Sequence, residues 1–305
     1  MSFIKIGQLN IHYEHQSSGD IPIILLHGNF GSWHYWHSFL QRLPAGYNAY
    51  APDFRGCGDS DASNDGYDIK TLSQDILYFA DQLKLEKFHL VGHSLGGAVA
   101  QELAGNSPGR ILTLTLVAPA PASGLKTLHK PALSHSFFSS KNIFNFLDNI
   151  GLKRKTLAAA FKKSMPGIKE NEACLKVLVD DAIKMDIKAF DGFIATLRTW
   201  NGSALLQYFD FPVLIMYGDL DPVIPLQPLI KMQQGIKDCR FYTFKGIGHS
   251  PQLENPSAFN AVLSEFLRGE KLEPPVDNSI MTTPPSLINK LKLKFRRFLK
   301  KINYH

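Results

Sequence analysis

A chain of 305 residues with 44% hydrophobic and 20% charged residues can bury one large core, which excludes a disordered protein and a small disulfide-stapled module. Three scattered cysteines, Cys57, Cys174 and Cys239, argue against a disulfide framework or a zinc site and for a reducing compartment. The net charge of +6 is unevenly spread: seven of the 33 basic residues lie in 286–305, which has no acid, and the remaining 26 are balanced by 27 acidic residues, so no basic groove for specific nucleic-acid binding is indicated.

The chain opens on MSFIKIGQLNIHYEH, an apolar–polar alternation that predicts an edge strand or hairpin over 3–14. It lacks the basic start and apolar run of a secretion signal, and no stretch approaches the ~18 apolar residues of a membrane span, so a cytoplasmic location is expected. Ile21–Leu26 is continuously apolar, as for a strand buried on both faces. It runs into His27-Gly28-Asn29-Phe30-Gly31-Ser32, a loop whose backbone N–H groups are candidates to hold a developing oxyanion, Asn29 first and Phe30 second; His27 reads as a brace. A helix is predicted over Ser32–Leu43. Its His34-x-x-His37 lacks the glutamate of a zinc-binding helix, and Trp33, Tyr35 and Trp36 read as packing residues, so no metal is expected. Asn48–Pro52 is a short strand, and Thr71–Leu83 has helical spacing at Leu72, Ile76, Phe79 and Leu83.

A strand over Phe88–Val91 is followed by Gly92-His93-Ser94-Leu95-Gly96-Gly97 and a helix over 96–105. Glycines permit a sharp strand-to-helix turn that lifts a serine hydroxyl to the carboxyl edge of the sheet, with the helix N-terminus adding free N–H groups beside it. Ser94 is therefore the candidate nucleophile and Leu95 N–H a candidate oxyanion donor. The alternative is a glycine-rich turn whose serine merely caps the helix. The cluster matches neither a Walker lysine loop nor a dinucleotide fingerprint, so no cofactor is expected.

After a strand over Ile111–Val117 the alternation stops. Residues 122–208 carry helical segments near 142–149, 154–164, 171–185 and 188–199, which predicts a helical cap inserted into a core formed by 1–121 and 209–268. Its phenylalanines, Phe137, Phe138, Phe144, Phe146, Phe161, Phe190 and Phe193, with Trp200, supply packing and some lining of an apolar substrate pocket. A strand over Pro212–Tyr217 leads into Gly218-Asp219-Leu220-Asp221-Pro222. A helix near 226–235 and a strand over Arg240–Phe244 follow, then Gly246-Ile247-Gly248-His249-Ser250-Pro251 and a helix over Ser257–Leu267. A hydroxyl needs a base, and His249 is placed to reach the edge that carries Ser94; the base needs an acid, for which Asp221 is the first choice and Asp219 the alternative. The linker 269–285 precedes a basic amphipathic helix over 286–305, a candidate anchor on an anionic membrane surface at the inner membrane face; the alternative is docking on its own domain or on a partner, nucleic acid being a nonspecific one.

His27-Gly28, the Pro52-Asp53-Phe54-Arg55-Gly56-Cys57-Gly58-Asp59-Ser60 loop, the Ser94 turn, Gly218-Asp219-Leu220-Asp221 and Gly248-His249 together resemble the α/β-hydrolase superfamily, in its single-cap branch, over about residues 3–268. The resemblance implies a mostly parallel twisted sheet flanked by helices with a helical cap, and a Ser94–Asp221–His249 triad with Leu95 and Asn29 as the oxyanion hole. Dehalogenases and epoxide hydrolases of that superfamily carry Asp at the turn; this chain carries Ser, which implies an acyl-enzyme, and the His27-Gly28-Asn29 likeness to the dehalogenases has no halide role without that Asp. Arg55 and the acids of its loop are expected to be structural. The leading expectation is hydrolysis of a carboxylic ester or thioester of a small apolar or lipid-like substrate. The alternatives are C–C bond hydrolysis of the meta-cleavage type and a non-catalytic ligand-binding scaffold.

Overall fold

The computed structural model describes residues 2–125, 145 and 147–270. The expected basic helix over 286–305, nearly all of the linker, and Phe137, Phe138, Phe144 and Phe146 lie outside them.

Eight strands form one sheet: β1 (Ser2–Ile6), β2 (Leu9–Ser17), β3 (Ile21–Leu26), β4 (Tyr47–Pro52), β5 (Phe88–His93), β6 (Ile111–Val117), β7 (Val213–Gly218) and β8 (Cys239–Phe244), in the order β1-β2-β4-β3-β5-β6-β7-β8. β2 runs antiparallel to both its neighbours, β1 and β4, and every other neighbouring pair is parallel. The central strands are apolar throughout because both faces are covered. In β3, Ile24 and Leu26 face one core with Leu90, Leu114 and Ile215, while Ile23 and Leu25 face the other with Val91, Val117 and Leu214. Each fully buried aliphatic side chain of this kind contributes roughly 1.5–3 kcal/mol.

The covering helices begin where the sequence caps them. Asp68 accepts from Thr71 N–H to start α2 (Ile69–Gln82), and Asn255 with Pro256 starts the last described helix, Pro256–Leu267. One expectation is revised. The segment 32–43 is not a single α-helix: a 3₁₀ turn over Trp33–Trp36, capped by the Ser32 hydroxyl, leads into α1 (His37–Gln41). Asp53 in the loop after β4 accepts from Trp33 N–H at 2.7 Å and pins the tighter turn.

Chain order in the sheet reverses around β3 and β5, and ligands of open α/β sheets bind beyond the strand carboxyl ends at such a reversal. Between β6 and β7 the described residues form α4 (Lys153–Ser164), α5 (Glu172–Lys184) and α6 (Ile187–Thr199). Asn171 and Asp186 cap the latter two. Phe161, Leu178 and Val179 join the core that holds β3's Ile23 and Leu25, while Ala189, Phe193 and Leu197 join the opposite one.

Candidate active site

The carboxyl ends of β3, β5, β7 and β8 carry His27–Phe30, Ser94, Asp221 and His249 to one region of the sheet edge. At the end of β5 the chain turns into α3 (Leu95–Asn106) with Ser94 at φ +53°, ψ −113°, a left-handed conformation that costs a non-glycine residue on the order of 1–3 kcal/mol. Such a turn requires close backbone approach. A β-carbon at Gly92 would meet the Gly96 carbonyl, and one at Gly96 would collide with the carbonyl oxygens of Leu26 and His27. Ser94 stands at the helix N-cap but makes no capping hydrogen bond; its hydroxyl lies 3.0 Å from His249 Nε2.

His249 Nδ1 lies 2.8 Å from Asp221 Oδ2. A carboxylate only accepts, so Nδ1 carries the proton and the Nε2 lone pair faces the Ser94 hydroxyl. The Asp221 carboxylate is itself fixed: Oδ1 accepts from Val223 N–H at 2.7 Å and Ile224 N–H at 3.1 Å, and the side chain is fully buried. Asp219 goes elsewhere, its Oδ1 accepting from Gly246 N–H at 2.6 Å.

Next to Ser94, Leu95 is the first residue of α3, so its N–H has no acceptor within the helix. Phe30 adopts φ +62°, and its N–H donates to Asn29 Oδ1 at 3.0 Å. Of the two candidate donors here, Phe30 N–H is thus already engaged. His27 braces the loop: Nδ1–H donates to Gly28 O at 2.8 Å and Nε2 accepts from Phe54 N–H at 3.0 Å. Burial holds its pKa below 6.5, as this neutral tautomer requires.

The loop after β4 is structural. Asp53 is fully buried and takes His12 Nδ1 at 2.8 Å, Trp33 N–H and Asp59 N–H. Arg55 makes a two-pronged pair with Asp75, both bonds 2.7 Å, and neither side chain is more than 11% exposed. Burial raises the Asp75 pKa despite the guanidinium. Arg55→Ala is expected to cost about 3–5 kcal/mol by stranding that carboxylate, while leaving the turnover of the folded fraction unchanged. Urea titration alongside rates normalised to folded protein checks this.

Sequence reasoning missed the contacts of three residues. His93, inside the serine turn, is fully buried, and its Nε2 lies 3.0 Å from His249 O. Burial, with His249 adding to it, keeps its pKa well below 6.5. Glu254 accepts N–H groups on both sides of His249. Buried Asp181 of α5 takes the Ser32 hydroxyl at 2.6 Å and His34 Nδ1 at 3.0 Å, joining the inserted helices to the His27–Ser32 loop. His34 and His37 both lie against Trp33. Spacing could not reveal these contacts, since Asp181 is 147 residues from His34.

The His34 pKa is raised, the hydrogen bond and charge of Asp181 outweighing its partial burial. A base with a raised folded pKa stabilises fully below its unfolded value of about 6.5 and loses that contribution as pH climbs through the folded value. His34→Gln is therefore expected to lower Tm more at pH 5.5–6 than at pH 8.5, as thermal melts of both proteins across that range would show. An equal loss at both ends of the range would exclude the linkage.

A pocket of about 130 Å³ lies between Phe30 and the inserted segment, with Ala182, Met185, Ile187 and Phe190 on its walls. The Phe30 and Phe190 ring centroids are 5.0 Å apart. The pocket is predominantly apolar, with Lys153 and Asn145 adding polar groups.

Residues 21–159 match the family model described as the alpha/beta hydrolase fold. The chain is 28% identical over 288 residues to 2-hydroxy-6-oxo-6-phenylhexa-2,4-dienoate hydrolase of Comamonas testosteroni, covering 87% of this chain and 96% of that protein. Among solved structures, it resembles the enol-lactonase of Burkholderia xenovorans LB400 with a TM-score of 0.74 and 18% identity, covering 88% of this chain and all of that one. An esterase of Exiguobacterium antarcticum gives a TM-score of 0.73 and 22% identity, covering 88% and 99% respectively. At these identities the two structures speak for the fold.

Proposed function

We propose that this chain is a hydrolase of the α/β-hydrolase superfamily and that it cleaves a carboxylic ester or thioester with an apolar or lipid-like acyl group through an acyl-enzyme on Ser94. The observation that carries the reading is the unbroken chain of hydrogen bonds from Ser94 Oγ through His249 to Asp221, at 3.0 and 2.8 Å. In this reading His249 Nε2 takes the hydroxyl proton as Ser94 attacks the carbonyl carbon. The N–H groups of Leu95 and Asn29 hold the oxyanion, each worth on the order of 3 kcal/mol. The imidazolium, stabilised by Asp221, then protonates the leaving oxygen or sulfur. Water, activated by the same imidazole, releases the acid and regenerates Ser94.

Residues 122–208 act as the cap in this proposal, and the apolar pocket beside Phe30 receives part of the substrate. A second reading has a specific support. The Comamonas relative is named a hydrolase of 2-hydroxy-6-oxo-6-phenylhexa-2,4-dienoate, a vinylogous dione, and in this second reading Ser94, His249 and Asp221 serve C–C cleavage. A fluorophosphonate probe tests both against a non-catalytic scaffold, with labelling of Ser94 expected. Rates on p-nitrophenyl esters of increasing acyl length, set against the ring-cleavage dione, separate the two; turnover of the dione alone would overturn the ester reading.

Among the described residues no helix is long and apolar enough to cross a membrane. From sequence alone, Leu287, Ile288, Leu291, Phe295, Phe298, Leu299 and Ile302 recur at helical spacing among the seven basic residues of 286–305. We propose that this segment rests on an anionic membrane surface, with about 1 kcal/mol from each basic residue near it, and holds a cytoplasmic enzyme at the inner face. Full-length protein is expected to co-sediment with phosphatidylserine vesicles, and a full-length variant with those seven residues replaced by Gln is expected to stay in solution. Equal binding of both would end the idea.

A further inference from the structure

Resting on the serine-hydrolase reading, the geometry points to Glu254 as a positioning residue that fixes the backbone of His249 and fastens it to the inserted helical segment. Glu254 ends the short helix Pro251–Glu254, directly after the loop that carries the imidazole. Its Oε2 accepts from Gly248 N–H at 3.0 Å and from Gly167 N–H at 2.9 Å, and its Oε1 accepts from Ser250 N–H at 3.0 Å. The residues on both sides of His249 thus hang from one carboxylate. The remaining N–H of this stretch, that of His249 itself, donates to Ser164 O at the end of α4, at 2.9 Å. The same two partners therefore hold all three consecutive donors, and Gly167 binds Glu254 only three residues beyond Ser164.

The fit is close enough to restrict the sequence at both contacts. A β-carbon on Gly248 would collide with Ser164 O and Pro166, and one on Gly167 would press on the Glu254 side chain. Bonds from N–H groups to an ionised acceptor are about twice as strong as neutral ones, and here three converge on one side chain. The imidazole is oriented laterally by Asp221 and from its own backbone by this carboxylate. A shift of the 164–167 turn, as when a substrate enters beneath the cap, is transmitted to His249 through Ser164 O and Glu254. Misplacing a reacting group by about 1 Å costs on the order of 100-fold in rate, so a modest loosening of this anchor is visible in turnover.

The test is Glu254→Gln in the full chain. An amide of the same shape presents only one oxygen, so at least one of the three N–H groups faces an NH₂ and loses its acceptor. Near-UV circular dichroism should stay native. On a p-nitrophenyl ester kcat is expected to fall about tenfold or more with KM within about twofold, and the rate of fluorophosphonate labelling at Ser94 to fall by the same factor. Hydrogen exchange, which needs no catalysis, should speed up in peptides covering 246–253 and 164–170 together. Wild-type kcat with unchanged exchange would overturn the proposal, as would faster exchange in only one of the two segments. If wild-type protein fails to label while Glu254→Gln still loosens both segments, the serine reading falls and the anchor stands. Glu254→Ala, which removes all three bonds, is expected to show larger effects in the same direction.

Discussion

Ser94→Ala is expected to leave a folded protein whose turnover falls by about 10⁴- to 10⁶-fold, the range seen when a triad nucleophile is removed. The structural cost is small. The hydroxyl makes one hydrogen bond, to His249 Nε2, and none to the helix it precedes. The left-handed backbone at this position is held by glycine contacts at Gly92 and Gly96 and by Ser94 N–H donating to Val117 O, none of which involves Oγ. Alanine keeps the β-carbon, so the strain is the same in both proteins. Initial rates on a p-nitrophenyl ester, with circular dichroism to match folded fractions and a fluorophosphonate probe to count reactive serines, check the result. A variant within tenfold of wild type would remove Ser94 from the chemistry.

Asp221→Asn ranks second, with an expected fall in kcat of about 10⁴-fold at neutral pH, and its cause is the tautomer of His249. Val223 and Ile224 donate to Oδ1, so that position must keep an oxygen. The amide nitrogen of Asn then occupies the Oδ2 position, 2.8 Å from His249 Nδ1, and donates to it. The ring is forced to carry its proton on Nε2, where it faces the Ser94 hydroxyl and cannot accept from it. Geometry is conserved while the base is disarmed, so the crystal structure of the variant should superpose on the parent. Asp219→Asn provides the contrast: that carboxylate serves Gly246 N–H, an amide oxygen can take over, and kcat should stay within about threefold. If Asp219→Asn proved the more damaging, the acid would have to be reassigned.

Much of this was legible in the chain because the physics is local. The run Ile21–Leu26 reads as a doubly covered strand, and β3 has those bounds, flanked by β4 and β5. The serine turn is legible because glycines are needed where two backbones touch. The helical type of 33–36 is not, since apolar spacing over one turn serves a 3₁₀ and an α-helix equally; the hydrogen bond that Trp33 N–H donates to Asp53, 20 residues away, decides it. Asp219 and Asp221 are two residues apart in one loop, and composition cannot rank them. Their fates separate because Asp219 N–H still pairs with Phe244 O at the end of β8, whereas Asp221 closes the next turn with its own N–H on Gly218 O. The proposed anchor at Glu254 was illegible for a related reason: one of its donors, Gly167, lies 87 residues from it in the chain.

Inserting the helices between β6 and β7 also sets a timetable for biosynthesis. The parallel pairing of Leu114 with Val213 cannot form until nearly a hundred further residues have been made, and Asp221 and His249 follow later still. A nascent chain thus carries the proposed nucleophile long before its proposed base and acid, and the margin of β6 waits for its neighbour, a late long-range pairing of the sort that slows folding and invites aggregation.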